Sequence, residues 1–136
     1  MANIEDFKAI EMKIGTILSA EYIEGANKLL KLTVDFGPIT VPQIEIAGYS
    51  NSIEDEPAGR EEAVPDRDVR QILSGIREYY EPKELIGKCC PFVTNLEPRK
   101  LRGLESHGMI LAVKTADGGA VLLHPDKEVP PGSPLS

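Results

Sequence analysis

Cysteine is scarce in this sequence: there are two in 136 residues, and they are adjacent, Cys89 and Cys90. Neighbours in an extended chain point to opposite sides, so an intrachain disulfide framework is excluded and a reducing compartment is expected. Long apolar runs are lacking too. Stretches such as Met109 to Val113 fall far short of the roughly 20 residues that span a bilayer, and Met1 to Phe7 carries Glu5 and Asp6 with no basic stretch. The expectation is a soluble cytoplasmic protein without a membrane partner.

Chemical motifs are equally sparse. There is no G-x-S-x-G, no glycine-rich phosphate loop and no C-x2-C or H-x3-H spacing around His107 and His124. Nucleophilic catalysis, phosphate transfer and a metal site are therefore not expected, nor is a cofactor. Basic charge is also in deficit, with 15 Lys and Arg against 22 Asp and Glu and a net charge of -7. That deficit is local. From Pro38 to Val69 eight acids face only Arg60 and Arg67, so this stretch holds -6 and the rest of the chain only -1. A ligand docks on a face rather than on a total, so a small basic patch on a nearly neutral body leaves nucleic acid open as a partner.

The composition, 41% hydrophobic, 27% charged and 12 glycines, suits a single domain over 1–136. Ile10 to Ile23 has Met12, Ile14 and Leu18 at even spacing and reads as a long strand bent or bulged at Gly15. Leu29 to Phe36 alternates strictly, Leu30, Leu32, Val34 and Phe36 on one face, and stops at Gly37-Pro38. The acidic stretch 38–69 follows. Its first part (Ile39, Val41, Ile44, Ile46) could add a strand broken by Pro42, and its second part is rich in Glu, Pro and Gly, which suggests a partly ordered insertion. Arg70 to Ile76 resumes a strand, and Glu81 to Ile86, with Pro82 in the first turn and Gly87 after it, suits a helix of a turn or two.

Cys89 to Leu96 is a further strand, with Pro91 marking a bulge or an edge. Glu97 to Glu105 packs Pro98, Arg99, Lys100, Arg102 and Gly103 into nine positions and reads as an exposed basic loop. His107 to Lys114, the turn Asp117-Gly118-Gly119 and Ala120 to His124 form a hairpin, and the proline-rich Val129 to Ser136 should wrap the surface. Short strands, one small helix and no βαβ alternation indicate a small β barrel.

The basic loop carries the main chemical signal, because three cations within four positions on a loop can meet phosphates. Ser106-His107-Gly108-Met109 follows directly and adds a hydroxyl, an imidazole and an apolar side chain. The Tyr79-Tyr80 pair could stack on bases, although beside a short helix packing is its more natural role.

Three runs together resemble a known family: Asn27 to Gly37 (NKLLKLTVDFG), Arg70 to Ile76 (RQILSGI) and Asn95 to Ala112 (NLEPRKLRGLESHGMILA). They are similar to the tRNA-binding domain found free-standing, at the C-terminus of methionyl-tRNA synthetases, in the endothelial-monocyte-activating polypeptide and as the secretion chaperone CsaA. The closing LLHPDKEVPPGS belongs to the likeness. The resemblance implies an all-β, five-stranded OB-fold barrel with one short helix, here with the acidic insertion between strands 2 and 3. It implies a non-catalytic, structure-specific tRNA-binding module, free-standing or acting with an aminoacyl-tRNA synthetase, and a homodimer. The matching site positions are Lys28, Leu29, Gln71, Ser74, Asn95, Lys100, Arg102, Ser106 and Met109. Lys100 and Arg102 would hold phosphates, Asn95 and Ser106 would bond phosphate, sugar or a splayed base, and Met109 would form an apolar floor. The alternative the likeness allows is a CsaA-like peptide-binding export chaperone using the same barrel.

Overall fold

The computed structural model describes residues 1–39 and 66–136. Most of the expected acidic insertion, including the strand expected around Val41, Ile44 and Ile46, lies outside the described residues.

Two long strands build the centre, β1 (Met12–Ile23) and β2 (Ala26–Pro38), antiparallel and joined across Glu24 and Gly25. The alternation of Leu30, Leu32, Val34 and Phe36 does what its period demands: all four side chains are buried in the barrel. β3 (Arg67–Ser74) pairs with β2 and β4 (Cys89–Val93) with β1, giving a curled five-stranded sheet in the order β3-β2-β1-β4-β7. β7 is Met109–Ile110. Ile17, Ile72, Phe92, Cys90 and Leu85 complete the core, where the rings of Phe36 and Phe92 meet edge to face with centroids 5.3 Å apart. α2 (Pro82–Leu85) plugs one end with Leu85, and the Gly87 N–H donates to the Ile17 carbonyl at 2.7 Å.

The fold class expected from the sequence stands, with four differences in detail. Gly15 pairs in register with Cys90, and the irregularities in β1 fall instead between Ile17 and Ser19 and between Tyr22 and Ile23. The glycine serves packing: a Cβ there would lie 2.5 Å from Cγ1 of Val34 and 2.6 Å from Cε1 of Phe36. A second short helix, α1 (Ile4–Lys8), precedes the barrel, started by a reciprocal Asn3–Asp6 capping box. β3 starts at Arg67 rather than Arg70, because the strand continues back opposite Pro38. Finally, the basic stretch is a β-hairpin rather than an irregular loop, with β5 (Arg99–Leu101) and β6 (Leu104–Ser106).

The barrel seam closes where β3 meets the segment after β6. The His107 N–H donates to the Gln71 carbonyl at 2.9 Å, and the Leu73 N–H to Ser106 Oγ at 3.0 Å. Arg70 bridges the same seam, donating to the carbonyls of Thr94 (2.6 Å) and His107 (3.1 Å) while its guanidinium lies over the Phe36 ring. The C-terminal tail does more than wrap the surface. Its backbone bonds the first half of β1, with the Ile14 N–H donating to the Ser133 carbonyl and the Leu135 N–H to the Met12 carbonyl, both at 2.9 Å. Pro91 is accommodated because Ile14, its partner across the ladder, turns its own N–H and carbonyl to the tail. A last hairpin, β8 (Ala112–Lys114) and β9 (Ala120–Leu122), is fixed by Tyr79 and Tyr80, whose hydroxyls bond the Gly118 carbonyl and the Leu122 N–H.

Candidate nucleic-acid interface

The β5–β6 hairpin has two chemically different faces. Leu101 and Leu104 join Leu29 in packing on Ile23, Ala26 and Leu73, which anchors the hairpin to the outside of the sheet. Arg99, Lys100 and Arg102 are exposed. Arg102 and Gly103 form the two-residue turn, with φ of 53° and 81°. Positive φ at both positions matches the type I′ geometry that suits the twist of paired strands, and it is unfavourable for any residue with a Cβ. Among the described residues, no carboxylate lies within ion-pair distance of Arg99, Lys100, Arg102 or Lys28. Four cations are thus presented with no ion-pair partner among the described residues.

A cleft of about 370 Å³ opens between this hairpin, the end of β3 and β7. Leu29, Ser74 and Met109 line it, as the sequence motif implies, together with Arg99 and Leu101. Lys28 stands exposed beside Leu29 at the start of β2. Gln71 reaches from β3 to the hairpin, its Nε2 donating to the Glu105 carbonyl at 2.9 Å. Leu29, Ser74 and Met109 therefore share one cleft, Gln71 bonds the hairpin beside it, and Lys28, Lys100 and Arg102 are exposed at the start of β2 and on the hairpin.

The remaining two site positions are occupied within the fold. Ser106 is buried, its hydroxyl accepting from the Leu73 N–H and donating to the Gly108 carbonyl. Asn95 accepts from the Glu11 N–H and donates to the Ala9 carbonyl, both at 2.8 Å, so it ties down the segment after α1. Two residues join the site that sequence reasoning left out. Arg99 lines the cleft and was visible as part of the basic run. Arg70 fixes the seam beneath the mouth; in the sequence it opens the run RQILSGI of the resemblance, which assigns it no role.

Among the described residues, no group of His, Cys, Asp or Glu side chains is gathered as a metal site, and no helix is long and apolar enough to cross a membrane. Burial pushes the Cys90 thiol up to about 11, which leaves it a core side chain at neutral pH.

A curled five-stranded barrel with a basic hairpin at its mouth is an OB-type domain. Residues 63–134 match the family model described as "Putative tRNA binding domain", and the chain belongs to that family. It is 41% identical over 128 residues to a methionine–tRNA ligase of Methanothrix thermoacetophila, covering 94% of this chain and 14% of the ligase. Against the methionine–tRNA ligase of Archaeoglobus fulgidus it is 41% identical over 131 residues, covering 96% of this chain and 15% of the ligase. The chain thus spans about 15% of the length of these curated relatives. Among solved structures it superimposes on a MetRS-related protein from Pyrococcus horikoshii with a TM-score of 0.75 at 32% identity, covering 100% of this chain and 98% of that one. The chaperone CsaA of Bacillus anthracis superimposes with a TM-score of 0.72 at 27% identity, covering 100% and 99%.

Proposed function

We propose that this chain binds tRNA through the mouth of its barrel, reading backbone shape and performing no catalysis itself. The observation that carries the reading is the hairpin that holds Arg99, Lys100 and Arg102 exposed, with no ion-pair partner among the described residues, beside the cleft lined by Leu29 and Met109. Lys28, Arg99, Lys100 and Arg102 contact phosphates, Leu29 and Met109 supply apolar surface, and Gln71 bonds sugar or base. Asn95, Ser74 and Ser106 belong to the same site, Asn95 and Ser106 chiefly by holding its walls in place. The whole of 1–136 acts as one domain with 38–69 as an acidic insertion within it.

The likeness to methionine–tRNA ligases supports an aminoacyl-tRNA synthetase as a further partner and the cytoplasm as the place of action. The protein acts as a homodimer. Fluorescence anisotropy of labelled total tRNA across several salt concentrations, with unstructured RNA of equal length as the control, tests the reading. Saturable, salt-sensitive binding that favours tRNA is the expected result. No saturable binding at moderate salt overturns it and moves the CsaA-like peptide chaperone to first place.

A further inference from the structure

A pocket of about 310 Å³ opens beside the hairpin, lined by Val69, Arg70, Gln71, Leu96 and His107. We propose that it receives one unpaired base of the bound RNA, held against Leu96 and the His107 imidazole with the Gln71 amide at its edge. This rests on the tRNA-binding reading above and adds to it how the protein separates folded RNA with splayed bases from plain duplex.

The pocket is built before any ligand arrives. Arg70 forms its inner side and is fixed by the Thr94 and His107 carbonyls and by Asp68, whose Oδ1 lies 3.0 Å from Nε. His107 is held at three points. Its N–H donates to the Gln71 carbonyl, its carbonyl accepts from Arg70, and its Nε2 sits 3.2 Å from Glu105 Oε1. A wall fixed in this way loses little further freedom on binding, which favours affinity.

The lining suits a base. Val69 and Leu96 are 46% and 41% exposed, leaving apolar surface that a flat ring would cover. Gln71 spends Nε2 on the Glu105 carbonyl, and its Oε1 accepts no hydrogen bond among the described residues, so an acceptor is left for an exocyclic amine. An aliphatic peptide side chain would use the walls but not that acceptor. The hairpin supplies the matching phosphate contact. Lys100 pairs across the ladder with Glu105, whose carbonyl is bonded by the Gln71 amide, so one residue links the cation to the edge of the pocket. A phosphate on Lys100 and a base in the pocket then belong to one stretch of the same RNA strand.

The test measures binding of total tRNA, and of a fully paired RNA duplex of equal length, to Leu96→Ala, His107→Ala, His107→Phe and Lys100→Ala. Leu96→Ala and His107→Ala are expected to weaken tRNA binding roughly five- to a hundredfold, the range for losing one stacked base. The salt slope and the duplex affinity stay at wild-type values, because stacking releases no counterions. His107→Phe keeps most of the tRNA affinity, which a purely structural role for the imidazole would not predict. Wild-type affinity in both alanine variants, while Lys100→Ala weakens binding, overturns the base pocket and leaves the tRNA reading standing. An equal loss for tRNA and duplex also overturns it, as does loss of unfolded-polypeptide capture in Leu96→Ala with tRNA binding intact. If the wild type fails to bind tRNA, both readings fall together.

Discussion

Arg67 grips both carboxylate oxygens of Asp35, with Nη2 at 2.8 Å and Nε at 3.1 Å from Oδ2, and Nε at 3.2 Å from Oδ1. Asp35 is 8% exposed and also accepts from the Gly37 N–H at 2.8 Å. The pair ties the end of β2 to the beginning of β3, at the root of the acidic stretch, where the Ile39 N–H donates to the Asp66 carbonyl at 2.8 Å.

The Arg67 hydrogen bond, opposed by burial and helped by the Gly37 N–H, holds the Asp35 carboxyl below its ordinary 3.8. The folded value lies below the unfolded one, so the stabilisation is present above about pH 4 and is lost as pH falls through the folded value. Asp35→Asn should therefore cost about 1–2 kcal/mol at pH 7 and progressively less in acid. Urea denaturation of both proteins at pH 7 and pH 3 checks this, and an equal gap at the two pH values would refute it.

Gly15 lies against Val34 and Phe36 with no room for a methyl group. Gly15→Ala should destabilise by about 1–3 kcal/mol through overpacking, read as a lowered thermal midpoint. A variant as stable as the wild type would mean that the core yields at this point.

Arg102 combines an unfavourable backbone conformation with the phosphate contact proposed for it, so its stability and binding effects should diverge. Arg102→Gly relieves the positive φ and should raise stability by a few tenths to about 1 kcal/mol. The same change should weaken tRNA binding and flatten the salt slope by about 0.7–0.9, the contribution of one phosphate contact. Lys100→Ala should flatten the slope equally without the gain in stability. An unchanged slope in both variants would remove the hairpin from the interface.

The two thiols should separate in a labelling experiment. Cys90 is fully buried with its thiol pushed up to about 11, whereas Cys89 is partly exposed beside Thr16. A thiol-specific reagent at pH 8 should modify Cys89 first and Cys90 only in denaturant. Equal rates in the native protein would show that the core around Phe92 opens readily.

Elements governed by one local rule could be read directly from the sequence. Leu30 to Phe36 announced a half-buried strand by period alone, and Pro82 with Gly87 bracketed α2. The β5–β6 hairpin escaped because its turn is Arg102-Gly103 rather than Asn-Gly, and because cations alternate there with the two leucines that anchor it. α1 had a legible capping box at Asn3 and Asp6 but is only five residues long, too short for a periodic pattern. For the site, the motif named Leu29, Ser74 and Met109, which line one cleft, while the work of Asn95 and Ser106 depends on backbone partners remote in sequence, Ala9, Glu11 and Leu73. No local pattern encodes partners 33 to 86 positions away.

The tail bonded along β1 also guards the barrel from outside. Beyond the reach of β2, residues 12–14 of β1 would present open N–H and carbonyl groups, and Ser133 and Leu135 cover them. An uncovered edge of this kind is a template on which a strand from another molecule can add. Residues 132–135 therefore leave no such open edge along residues 12–14 of β1, a covering role quite separate from anything at the mouth.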